Sequence, residues 1–116
     1  MARLVLKNLP IKDLRRRLLL EASVLDNASK DALFGLINAL IARREPPAYG
    51  PLAVQHFRLL NECKGLAETV RWAARNLSDD RRDDLLDCHR GVKVCQTLIR
   101  RIVRVWIRPA DDSASC

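Results

Sequence analysis

The sequence predicts an all-α protein made of two helical hairpins with long antiparallel helices. Three observations carry that prediction. First, Leu, Ala and Arg are common while the chain has only 4 Gly and 5 Pro, and β-branched residues alternate over no long run. Second, apolar residues recur in steps of three and four, the spacing of one helical face. Third, the only strong break is "EPPAYGP" at 45–51, with shorter polar breaks at "DNAS" (26–29) and "SDD" (78–80). A chain of 116 residues is one domain in size. Hydrophobic residues make up 48% and aromatics only 4%, so the core must be aliphatic.

Taken in order, "LPIKDLRRRLLLEASVL" forms the first helix, about 9–25. Pro10 suits its start and Asp13 its first turn. "DNAS" ends the pattern, and Ser29 or Asn27 caps the next helix, about 30–44, which turns Leu33, Leu36, Ile37, Leu40 and Ile41 to one side. Residues 1–50 therefore read as an N-terminal helical hairpin or extension. The lead-in "RLVLKNLP" is extended.

Residues 51–109 form the second, longer hairpin. Its first helix, about 52–77, places Leu52, His56, Leu59, Cys63, Leu66, Val70, Ala73 and Leu77 at alternating steps of four and three. Ser78 caps the last helix, and Asp79 and Asp80 meet its positive end. The last helix carries a seam without exception: Leu85, Cys88, Val92, Cys95, Ile99, Ile102 and Trp106. Such a seam packs on another helix. Gly91 lies mid-helix, where it either permits a close helix approach or is simply tolerated. Pro109 ends the helix, and 110–116 is a loose tail.

The net charge is +7, with 16 Arg against 5 Lys. Arginine donates paired hydrogen bonds to phosphate, so a basic domain points to a polyanion: nucleic acid or an anionic membrane. The charge is concentrated. Residues 81–108 hold eight basic and three acidic side chains. Placed at about 100° per residue from Arg82, the residues Lys93, Arg100, Arg104, Arg90 and Arg108 fall within roughly 80° of one line. The apolar seam lies at roughly −60° to −160° on the same scale. Arg82 to Arg108 spans about 39 Å at 1.5 Å per residue. Asp83, Asp84 and Asp87 lie in the first two turns, so nothing acidic in the helix offsets Arg100, Arg101, Arg104 and Arg108.

A row of cations at such intervals matches a nucleic-acid backbone. Reading base edges in the major groove of DNA favours Asn and Gln, and this helix has only Gln96. Duplex RNA has a wide, shallow minor groove and is recognised by shape. Thr97 lies inside the basic stripe, placed to meet a 2′-hydroxyl. This chemistry alone leaves DNA open.

The last helix resembles the small double-stranded-RNA-binding silencing suppressors of insect nodaviruses. The likeness is carried by Arg81-Arg82-Asp83, Lys93, Thr97, Arg100 and Arg108-Pro109, at spacings that match without a gap. It covers about residues 57–109. The preceding helix is similar in length and apolar rhythm. The resemblance implies an antiparallel homodimer forming a four-helix bundle that lies along an RNA duplex. It implies contact with backbone and 2′-hydroxyls without sequence readout, and protection of RNA from dicing and small-RNA loading in the cytoplasm of an infected host cell. It carries Arg82, Lys93, Arg100, Arg108 and Thr97 to RNA; Arg90, Arg101 and Arg104 join them by position on the stripe. Leu59, Leu66, Val70, Leu85, Cys88, Val92, Cys95, Ile99, Ile102 and Trp106 form the core or dimer seam. The family has a further short helix after the proline, whereas seven residues follow here, and it lacks the fifty N-terminal residues. Those residues can instead pack on the second hairpin and complete a bundle within one chain.

Two other readings compete. "RLVLKNLP" as a short strand before two helices resembles the ribbon-helix-helix DNA-binding family, with Arg3, Val5 and Lys7 facing the major groove. That would make the protein a transcriptional regulator or antitoxin. "TLIRRIVRVWIRP" is cationic and amphipathic, as membrane-interface helices are. Enzymatic chemistry and cofactors are not expected. His56 and His89 have no Ser or Cys partner at a motif spacing, and there is no phosphate loop. Cys63, Cys88 and Cys95 read as small buried hydrophobes, with no zinc spacing. "MARLVLKNLP" has no apolar core of signal-peptide length and no run spans a membrane, so an intracellular protein with reduced thiols is expected.

Overall fold

The computed structural model describes residues 6–43 and 50–107. They form three long helices: α1, Ile11–Arg43; α2, Gly50–Asn76; and α3, Arg82–Trp106. Short 3-10 turns at Leu6–Asn8 and Asp79–Arg81 precede α1 and α3. No strand occurs among the described residues, so the all-α prediction stands.

The two-hairpin prediction does not. The expected break at 26–29 is absent, and α1 is one helix of 33 residues. Its buried positions are Leu14, Leu18, Ala22, Leu25, Ser29, Ala32 and Leu36. They follow steps of three and four straight through the polar stretch. Ser29 is no N-cap. It is fully buried, and its hydroxyl donates to the Leu25 carbonyl at 2.8 Å. The helix thereby satisfies a polar group at a core position from within itself. Asp26 sits at the edge facing α2, where Lys64 lies at 3.8 Å and Arg71 at 3.9 Å. Without the break, the ribbon-helix-helix reading loses its pair of helices. Leu6–Asn8 is a helical turn rather than a strand, and Arg3 and Val5 lie outside the described residues.

α1 therefore packs on both α2 and α3 within one chain, in an up-down-up order. Arg15 of α1 donates to the carbonyls of Ala74 (3.0 Å) and Leu77 (2.5 Å) and to Asp79 (2.8 Å). It thus caps the C-terminal end of α2, whose last carbonyls have no partner in the helix. Glu21 joins α1 to α3: both its oxygens lie within 2.9 Å of His89 Nδ1. At the far end, a Cβ added at Gly35 would stand 2.3 Å from Ile107 Cδ1, so glycine lets α1 approach the end of α3.

α2 meets both neighbours, and this widens its buried arc beyond the single seam expected. Val70 and Cys63 are buried as predicted, but Leu59 and Leu66 are only half-buried. The deeper positions are Ala53, Leu60, Ala67 and Ala74, a strict seven-residue repeat. The α3 seam holds throughout. Leu85, Val92, Ile99, Ile102 and Trp106 are buried, and Cys88 and Cys95 pack against them. Of the two readings of Gly91, the structure favours close approach: an added Cβ would lie 3.1 Å from Leu66 Cδ2 of α2.

The helix termini depart from expectation in detail. Gly50 and Pro51, read as part of the break, open α2, where Pro suits the first turn. Ser78 makes no cap bond; its hydroxyl pairs with Asp80, and the 3-10 turn intervenes before α3. Pro109 and residues 110–116 lie outside the described residues.

His56 supplies a long-range polar contact of the α2–α3 pair near its open end. Trp106 Nε1 donates to His56 Nδ1 at 2.7 Å, with the rings edge to face. Nδ1 is thus unprotonated, and burial pushes the imidazole pKa below 6.5. Burial likewise pushes the Cys63 thiol up to about 12, with the neighbouring Cys95 adding to it. Burial, then Asp84 and Asp87, raise Cys88. These thiols stay protonated near neutral pH.

Two outcomes follow from the packing. Ser29→Pro should lower the unfolding free energy by about 3 kcal/mol or more, because proline removes a mid-helix hydrogen bond and clashes with the preceding turn. Ser29→Ala should change it by less than about 1 kcal/mol. Urea titrations of both would show a loop at 26–29 if proline were tolerated. Acid provides the second. A lowered histidine pKa contributes stability that is complete above 6.5 and is lost as the pH falls below it. The parent should therefore lose stability more steeply as the pH falls below 6.5 than His56→Gln, which keeps an acceptor for Trp106 without titrating. Equal slopes would contradict the bond.

Candidate nucleic-acid interface

α3 is clasped on two sides. The edge bearing His89 and Ile107 meets α1, and the edge bearing Gly91 meets α2. The remaining arc faces solvent. On it the structure exposes Arg90, Lys93, Thr97, Arg100, Arg101 and Arg104. From Arg90 to Arg104 the stripe runs about 21 Å at 1.5 Å per residue.

The members differ in what they already bind. Arg90 pairs with Asp87 one turn earlier. Thr97 donates its hydroxyl proton to the Lys93 carbonyl at 3.2 Å and accepts a long contact of 3.4 Å from Arg100. Its hydroxyl proton is thus engaged within the helix, while the oxygen keeps acceptor capacity. Lys93, Arg101 and Arg104 have no ion pair or side-chain hydrogen bond among the described residues. No acidic side chain lies between Lys93 and Arg104.

Two predicted members do not join this open row. Arg82 is half-buried and donates to the Leu9 carbonyl at 2.6 Å, tying the start of α3 to the lead-in of α1. Its first duty is structural. Arg108 lies outside the described residues. The positive row is thus densest in the C-terminal two-thirds of α3. At the N-terminal end, Asp83 is exposed, and Arg81 binds Asp84 at 2.5 Å.

Two contributors went unnoticed in the sequence. Val94 is 62% exposed and Val105 44% exposed. Helical spacing puts both at roughly 40–60° from the line of Arg90, on the same open arc. Their signal was present: they fall outside the seam steps, so neither can face the core. Gln96 is half-buried instead of free on the stripe. The open face therefore offers guanidinium, ammonium, hydroxyl and small apolar groups, and no side-chain amide.

No group of three metal-ligating side chains stands together among the described residues, and no helix there is long and apolar enough to cross a membrane. Trp106, the aromatic of the amphipathic segment, is 2% exposed and faces the core, not a lipid interface. The chain matches no protein-family model, no curated protein and no solved structure.

Proposed function

We propose that this protein binds double-stranded RNA without sequence preference, through the open face of α3, and so suppresses RNA silencing. Bound along a duplex, it shields the RNA from dicing and from loading of small duplexes. The observation that carries the reading is the row Lys93, Arg100, Arg101 and Arg104, exposed on one straight helix with no acid among them. Phosphates spaced along a backbone are what such a row complements. The lack of an amide on the face favours recognition by shape, which suits the shallow minor groove of duplex RNA better than base reading in DNA. Thr97 is exposed among these cations, and its oxygen, with its own proton given to the Lys93 carbonyl, can accept a hydrogen bond from a 2′-hydroxyl.

The viral, cytoplasmic and homodimeric parts of the reading come from the resemblance of 57–109 to nodavirus suppressors. In that family a partner hairpin completes the bundle. Here α1 covers one side of the α2–α3 hairpin, and a homodimer would set two such stripes along one duplex. The reading is of a binding protein rather than an enzyme.

Arg101→Ala combined with Arg104→Ala should leave unfolding unchanged and weaken duplex-RNA binding. The slope of log K against log salt should become shallower by roughly two, one for each lost phosphate contact. Arg58→Ala, exposed on α2, should change affinity by less than about twofold. Ile99→Asp puts a charge into the core, where the residue is 6% exposed, and should abolish both folding and binding. Affinity that ignores both salt and the Arg101/Arg104 change would remove the stripe from the account.

A further inference from the structure

We propose that the cleft between the C-terminal half of α1 and the N-terminal half of α2 docks an amphipathic helix of a partner protein, one with acidic residues at one end of its apolar stripe. The cleft has a volume of about 420 Å³. Leu33, Phe34 and Ile37 of α1 and Phe57 of α2 line it, and no α3 residue does. It therefore lies on the side of the α1–α2 pair away from the basic stripe.

Its apolar groups are poorly covered by the described residues. Phe34 is 65% exposed, Ile37 40% and Ile41 70%, and Val54 of α2 is 58% exposed. Phe34, Ile37 and Ile41 follow steps of three and four, so they form a straight row beside a groove between antiparallel helices. A row of this kind is complementary to a helix laid along it. A contiguous apolar patch beside a groove marks an interaction site more often than a solvated surface.

Charge selects the occupant. Lys30 and Lys64 line the cleft at the end farthest from Ile41 and Val54. Lys30 is exposed and has no ion pair among the described residues. Lys64 reaches Asp26 only at 3.8 Å. Among the described residues no acidic side chain lines the cleft. A slot that is apolar along its length and cationic at one end fits a helix with apolar anchors and carboxylates at the matching end. A second copy presents the same lysines and a net charge of +7, which makes it the poorer complement. The inference does not rest on RNA binding, because it uses α1 and α2 alone.

The test uses the full chain and three fluorescein-labelled designed helical peptides with one shared apolar stripe. They differ at two flanking positions at one end, which are Glu, Gln or Lys. Anisotropy titrations should rank Glu tightest, about tenfold over Gln, with Lys weakest. Lys30→Glu with Lys64→Glu should reverse the order. Phe34→Ser, on a side chain already 65% exposed, should keep the parent's thermal unfolding and weaken the Glu peptide at least about tenfold. Arg101→Glu with Arg104→Glu should alter peptide affinity by less than about twofold, which separates the cleft from general attraction to a basic chain. Equal affinity for the three peptides, or indifference to Phe34→Ser, overturns the proposal. So does sedimentation showing a self-associated parent that Phe34→Ser converts to a monomer, since the cleft then belongs to a second copy.

Discussion

Everything in this molecule depends on α1 staying helical from end to end. Its buried row from Leu14 to Leu36 is the surface on which both other helices pack. A turn at 26–29 would halve that surface and leave the second hairpin short of a neighbour. The helix tolerates a polar residue in that row through a small device. Ser29 fills a core position, and its hydroxyl is satisfied by the carbonyl one turn back. Burying a hydroxyl without a partner would cost about 1–3 kcal/mol, so the internal bond decides whether the row can continue. Polar ties then fix the register: Arg15 on the end of α2, Glu21 on His89, and Arg82 on Leu9.

The same packing shapes the proposed binding face. α3 is held on two flanks, by α1 and by α2, so its exposed arc is narrow and its axis is supported along its length. A supported helix presents cations at fixed intervals, and less conformational entropy is lost when they meet a ligand. Sequence and packing agree on which arc is open. The apolar seam takes the inner side without exception, and Lys93, Arg100, Arg101 and Arg104 take what remains. Arg82 shows the limit of that division. It lies near the line of the stripe, yet the lead-in to α1 passes close enough to claim its guanidinium.

How much of this was legible in the sequence depended on what each residue's partner was. The α3 seam was fully legible, because every member is apolar and the spacing never slips. The placement of the basic stripe followed from the same arithmetic. α1 was misread because Asp26, Asn27 and Ser29 look like a capping cluster. The step from Leu25 through Ser29 to Ala32 and Leu36 keeps the period, but a polar residue hid it. On α2 a single seam was assumed, while two neighbours bury two rows; the repeat Ala53, Leu60, Ala67 and Ala74 was the overlooked sign. Contacts between residues far apart in sequence, such as His56 with Trp106 and Arg15 with Leu77, leave no local pattern to read.

The central claim is that the open face of α3 recognises the shape and charge of duplex RNA. The most direct measurement is a gel-shift titration at one fixed salt concentration with double-stranded RNA, double-stranded DNA and single-stranded RNA of equal length, each in several sequences. The account predicts preference for double-stranded RNA, with little difference among its sequences. Preference for duplex DNA, or equal weak binding to all three, would contradict it.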